Sequence, residues 1–137
     1  MVAFKKIMTD PIGAMVNEIK VGGLAKKPVI TVKHSSIKSA ILDCLKKAGF
    51  IDSFEKRVKQ GHQVLDINLA YSDDGTPKVK EAKRISKPSR RLYYGYRDIR
   101  LVKGGRGIIV LSTPKGILSG VDARKELVGG EPLFWIW

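Results

Sequence analysis

Gly107-Ile108-Ile109-Val110-Leu111-Ser112-Thr113-Pro114-Lys115-Gly116-Ile117-Leu118 decides the fold of the C-terminal half. Gly107 to Leu111 has the length and β-branching of a buried strand. Pro114 to Gly116 supplies turn chemistry, and Ile117 and Leu118 begin a short returning strand. Ser119 with Asp122 then fits a capping box for a short helix, closed by Gly129 and Gly130, and Pro132 to Trp137 forms a final strand. The turn is also rich in hydroxyls. Such groups donate to and accept from sugar 2′-OH groups and base edges, and Gly116 permits close backbone approach. Any β-turn favours the same residue types, so the spacing leaves a structural and a binding reading both open.

Upstream of that hairpin, Gly104, Gly105, Arg106 and Gly107 lack the Gly-Lys-Ser/Thr ending of a nucleotide loop and precede a strand, which makes them a connector. Before them, Lys83-Arg84-Ile85-Ser86-Lys87-Pro88-Ser89-Arg90-Arg91-Leu92-Tyr93-Tyr94 interleaves cations with aromatics. Cations contact phosphates and tyrosine rings stack on unpaired bases, although a solvated strand edge also carries charge. Asp73, Asp74 and Gly75 give a strong turn signal and a module boundary near residues 73–77.

The first half reads as helices on a small sheet. Asp10 and Pro11 are N-cap and first helical position, Ile12, Met15, Val16 and Ile19 share one face, and Gly22 with Gly23 ends the helix. Val29 to Val32 is a short strand. Ser35 or Ser36 caps a second helix with Ile37, Ala40, Ile41, Cys44, Leu45 and Ala48 on one face and Gly49 as its stop. A hairpin follows: a strand from Phe50 to Val58, a loop at Gln60 and Gly61, then Leu65, Ile67, Leu69 and Tyr71 alternating with polar residues. The expected class is α+β, in two small α/β modules: residues 1–72 with helices on a sheet, and residues 73–137, mainly β with a short helix.

Composition narrows the partner. The 137 residues, 43% of them hydrophobic, can bury a core, with disorder expected only in the first few residues. The 26 Lys and Arg against 13 Asp and Glu leave a net charge of +13, which calls for a polyanion. The charge is concentrated: residues 73–106 carry a net +7, residues 107–137 none. A membrane surface would need an amphipathic basic helix or a lipid anchor, and apolar runs such as Ile108 to Leu111 are too short to span a bilayer. Lys5 and Lys6 are not followed by an apolar leader, so the protein is expected to remain where it is made. Cys44, the single cysteine, reads as a buried small hydrophobe.

Catalysis finds little support. His34 and His62 fall in different elements, and no His, Cys or carboxylate set has metal-ligand spacing, so no catalytic residue, metal or cofactor is expected. A generic basic RNA- or DNA-binding module and, with less support, a small basic nuclease both stay open on composition alone.

Three stretches taken together resemble the bacterial-type small-subunit ribosomal protein eight family. They are Thr9-Asp10-Pro11-Ile12, then Arg84-Ile85-Ser86-Lys87-Pro88 with Arg91-Leu92-Tyr93, and a C-terminal signature. The signature runs from Gly107 to Thr113, through Lys115-Gly116, Ala123-Arg124 and Gly129-Gly130-Glu131, to Trp137. The resemblance implies a non-enzymatic structural protein of the small ribosomal subunit, in the cytoplasm or an organelle. It implies early binding to the central domain of small-subunit rRNA and a place beside ribosomal protein five; bacterial members of the family can also repress translation of their own operon mRNA, which the residues of this chain leave open.

Position by position, the resemblance makes Ser112, Thr113, Lys115 and Gly116 the RNA-contacting turn, with Gly130 and Glu131 packed beside it. Lys87, Arg91 and Tyr93 belong to the adjoining basic aromatic strand, and Asp10, Pro11, Ser35 and Lys38 approach other rRNA segments. Pro114 stands where the family has serine, which removes a hydroxyl and stiffens the turn. Glu18 and Val21 replace Arg and Asn, and Ser89 replaces a glycine after Pro88.

Overall fold

The computed structural model describes residues 10–137; the expectations about the first few residues, including Lys5, Lys6 and Thr9, lie outside them. Helix α1 (Pro11–Leu24), strand β1 (Val29–Lys33), helix α2 (Ser36–Ala48), β2 (Ile51–Lys59) and β3 (His62–Leu69) come first. Then follow β4 (Ala82–Arg84), β5 (Ile108–Thr113), β6 (Gly116–Ser119), helix α3 (Gly120–Lys125) and β7 (Glu131–Ile136). The strands form two antiparallel sheets, ordered β1-β3-β2 and β4-β7-β5-β6, so the class is α+β.

Each helix begins as its residues dictate. Asp10 accepts from the Gly13 N–H with Pro11 at the first position, Ser35 rather than Ser36 accepts from the Lys38 N–H, and Ser119 accepts from the Asp122 N–H. Their ends differ from expectation in two cases. Helix α1 does not stop at Gly22 and Gly23 but runs through them to Leu24. It closes with Lys26 in the left-handed region (φ 55°), its N–H donating to the Gly23 carbonyl and that of Lys27 to Gly22. The two glycines serve proximity instead: a Cβ on Gly22 would lie 2.8 Å from Ile30 Cγ2, and one on Gly23 3.0 Å from Pro77 Cβ. Helix α3 likewise ends before Gly129 and Gly130, with Leu127 at φ 56° and the Val128 N–H on the Ala123 carbonyl.

Helix α2 buries Ile41, Leu42, Cys44 and Leu45; Leu42 was not on the expected face, while Ile37 is exposed. Burial pushes the Cys44 thiol up to about 11, which keeps it protonated. Tyr71 falls outside β3, bridging to Pro77 with its hydroxyl donating to the Lys27 carbonyl. The basic aromatic segment is not one strand: β4 ends at Arg84, Ile85 and Ser86 still donate to the Leu133 and Pro132 carbonyls of β7, and beyond them the chain turns repeatedly. One of those turns is tight, for Lys87 and Arg90 exchange backbone hydrogen bonds around Pro88 and Ser89 without a glycine.

The passage between the sheets runs through Asp73–Gly75, where Asp74 accepts from both the backbone and the hydroxyl of Thr76. The larger apolar cluster draws on both sides of it, joining Met15, Ile19, Ile41, Leu45 and Ile67 to Val110, Leu133, Phe134 and Ile136. A smaller cluster, Ile99, Ile109, Leu111 and Ala123, holds α3 against the second sheet. No helix among the described residues is long and apolar enough to cross a membrane.

Candidate nucleic-acid interface

Strand β5 carries the hairpin turn outward, and its register sets Ser112 opposite both Ile117 on β6 and Glu131 on β7. Thr113 braces the turn internally: its hydroxyl donates to the Gly116 carbonyl at 2.7 Å and accepts from the Lys115 N–H at 3.1 Å. Gly116 adopts φ 112°, a backbone conformation that L side chains rarely take. Lys115 Nζ lies 3.0 Å from Glu126 Oε2 at the exposed end of α3. Ser112, half-buried, makes no side-chain hydrogen bond among the described residues.

Gly130 sits between two backbones. It exchanges hydrogen bonds with Tyr94 (2.9 Å each way), while a Cβ on it would lie 2.1 Å from the Ser112 carbonyl oxygen. Gly129 packs as closely on Tyr94, its Cβ position 2.1 Å from that carbonyl. These glycines therefore press the segment around Tyr93 and Tyr94 against the turn, a role that needs the absence of a side chain.

Glu131 organises what lies beside them. Its carboxylate accepts from the fully buried Ser86 hydroxyl at 2.5 Å and from Arg91 Nη1 at 3.0 and 3.1 Å. Ser86 in turn accepts from the Leu92 N–H. This network holds Arg91, two residues before Tyr93, which is 75% exposed. Ser86 belongs to the basic motif but was not among the expected site residues, since within a run of cations nothing local marks it as buried.

Of the residues named from sequence, the structure brings Ser112, Thr113, Lys115, Gly116, Gly130, Glu131 and Arg91 into one bonded set with Tyr93 beside it. Lys87 and Arg90 extend that side, exposed and without a carboxylate partner among the described residues. Asp10 is engaged elsewhere in the protein: burial works to raise its pKa, but hydrogen bonds from Arg84 and the Gly13 N–H outweigh it and hold the carboxyl below its ordinary value. Pro11 is exposed at the first turn of α1. Ser35 and Lys38 belong to the first turn of α2, where Ser35 caps the helix and Lys38 Nζ donates to the Lys33 carbonyl. Among the described residues, no three His, Cys, Asp or Glu side chains gather as a metal-ligand group.

A hydroxyl-tipped turn flanked by cations and an exposed tyrosine, on a strongly basic α+β frame, defines an RNA-binding protein. The model of the family described as Ribosomal protein S8 matches residues 10–137, and the chain belongs to that family. It is 42% identical over 127 residues to the small ribosomal subunit protein uS8 of Ruegeria pomeroyi, covering 92% of this chain and 97% of that one. It is 38% identical over 126 residues to the protein of the same name from Rhizorhabdus wittichii, covering 92% and 95%.

Proposed function

We propose that this chain is a structural constituent of the small ribosomal subunit that binds the central domain of small-subunit rRNA through the turn at Ser112–Gly116. The observation that carries this reading is the internally braced turn, with Gly130 and Glu131 locked beside it, in a chain of this family. The unpaired Ser112 hydroxyl reads a 2′-OH or base edge, Tyr93 stacks on an unpaired base, and Lys87, Arg90 and Arg91 meet phosphates. Asp10, Pro11, Ser35 and Lys38 approach further rRNA segments. The protein acts as an early assembly factor beside ribosomal protein five, has no enzymatic activity, and represses its own operon through an mRNA site that imitates the rRNA.

Binding to a central-domain rRNA fragment, compared with an unrelated duplex of equal length, tests the reading. Tight, salt-sensitive binding to the fragment alone is expected, because cations release condensed counterions while the turn selects shape. Equal affinity for both would replace this reading with a generic nucleic-acid module, and cleavage of either RNA with added divalent metal would make the protein a nuclease.

A further inference from the structure

The far end of the second sheet carries an aromatic, cationic cleft that the turn does not use. Trp135 stands on the outward face of β7, 38% exposed, and its register partners are Lys83 on β4 and Ile109 on β5. The irregular segment before β5 forms the opposite wall with Tyr94, Arg100 and Leu101, the last 70% exposed. Lys103 Nζ lies 4.7 Å from the centroid of the Trp137 ring, which holds a cation at the mouth. The cleft measures about 340 Å³, at the lower end of the roughly 300 to 1,000 Å³ typical of small-ligand sites.

Its charge is one-sided. Lys83, Arg100 and Lys103 form no salt bridge among the described residues. Asp98, the single carboxylate of the lining, accepts from the Gly95 N–H. A second hollow shares Lys103 and Trp137 and adds Lys78, Lys80 and Arg106, so the cationic surface continues beyond the indoles. An exposed indole beside a track of unpaired cations has the chemistry of a stacking platform along a nucleic-acid backbone.

We propose that this cleft is a second RNA-contacting site, in which one unpaired base stacks on Trp135 while Lys83, Arg100 and Lys103 hold the flanking phosphates. The proposal rests on the RNA-binding reading above but not on the turn. Along β5 the two sites are set apart from Ile109 to Ser112, with Tyr94 between them, a distance of about 10 Å at roughly 3.3 Å per residue. The protein therefore grips RNA at both ends of one sheet.

The chain has two tryptophans, and both line this cleft, so tryptophan emission, excited where tyrosine does not absorb, reports on the cleft and not on Tyr93. The full-length protein is titrated at low salt with a single-stranded adenylate hexamer, and separately with a hexaglutamate peptide. Quenching by the RNA and not by the peptide is expected. Lys83→Ala with Arg100→Ala weakens it by roughly tenfold, whereas Ser112→Ala leaves it unchanged. Absence of quenching by the hexamer, while the central-domain fragment still binds, overturns the cleft and spares the turn. Equal quenching by the peptide also overturns it, in favour of an acidic protein partner. Quenching by the hexamer, with no preference for the rRNA fragment over an unrelated duplex, upholds the cleft and removes the proposed function.

Discussion

Asp10 and Arg84, 74 positions apart, meet through paired contacts of 2.9 and 3.0 Å. The same guanidinium also donates to the Leu133 carbonyl, so one arginine joins the start of α1 to two strands of the second sheet. Asp10 thus caps a helix and ties the two sheets' elements together.

Because the Asp10 pKa is lowered on folding, its ionisation stabilises the native state above its ordinary carboxylate value of 3.8 and ceases to do so as pH falls through the folded value. Arg84→Ala is expected to lower stability by about 1 to 2 kcal/mol near neutral pH, allowing for the partial exposure of Asp10. Urea unfolding at a series of pH values checks this: the gap between the two proteins should narrow in acid. A gap that stays constant would place the contribution of Arg84 in its bond to Leu133.

Ser112 and Thr113 should separate in their effects. Ser112→Ala removes a hydroxyl that no described residue uses, so it should weaken rRNA-fragment binding by about 1 to 2 kcal/mol without moving the melting temperature. Thr113→Val deletes the bonds to Gly116 and Lys115 and should lower both affinity and stability, the latter by about 1 kcal/mol. Unchanged affinity in Ser112→Ala would return that hydroxyl to a passive role.

Gly130→Ala drives a methyl into the Ser112 backbone rather than into a yielding side chain. Strand β7 must then move away from β5, at a cost of about 3 kcal/mol or more. Thermal denaturation measures this, and a melting temperature equal to the parent's would mean that the strands part freely.

Glu131 offers a test by sign. If it only repelled phosphates, Glu131→Gln would raise RNA affinity; because it holds Ser86 and Arg91, the substitution should lower affinity instead. Arg91→Glu should also weaken binding and make its salt dependence shallower by about 1 to 2 in log–log slope. A filter-binding series across salt concentrations distinguishes these outcomes.

Much of this was legible in the residues. The caps at Asp10, Ser35 and Ser119, the hairpins and the α+β class follow from local chemistry, which needs few long-range contacts. Gly49 ends α2 as its sequence implied, but the other two helix ends were not legible, because both misread glycine pairs are governed by neighbours distant in sequence. Gly22 and Gly23 make room for Ile30 and Pro77, and Gly130 for Ser112, while Lys26 and Leu127 take the left-handed position. The turn's residues were visible, but not the Ser86–Glu131–Arg91 brace that orients its surroundings, since nothing local joins positions 45 apart. The indole cleft escaped for the same reason: it exists only once β4, β7 and the segment before β5 are neighbours.

Strand β7, formed late in the chain, lies in the interior of its sheet between β4 and β5. During synthesis β4 therefore emerges with no hydrogen-bonding neighbour, and the two N-terminal helices wait for Leu133, Phe134 and Ile136 to cover their apolar sides. The chain is thus fastened from its carboxy-terminal end: without β7, β4 has no strand to pair with and the apolar interior shared by both halves stands open.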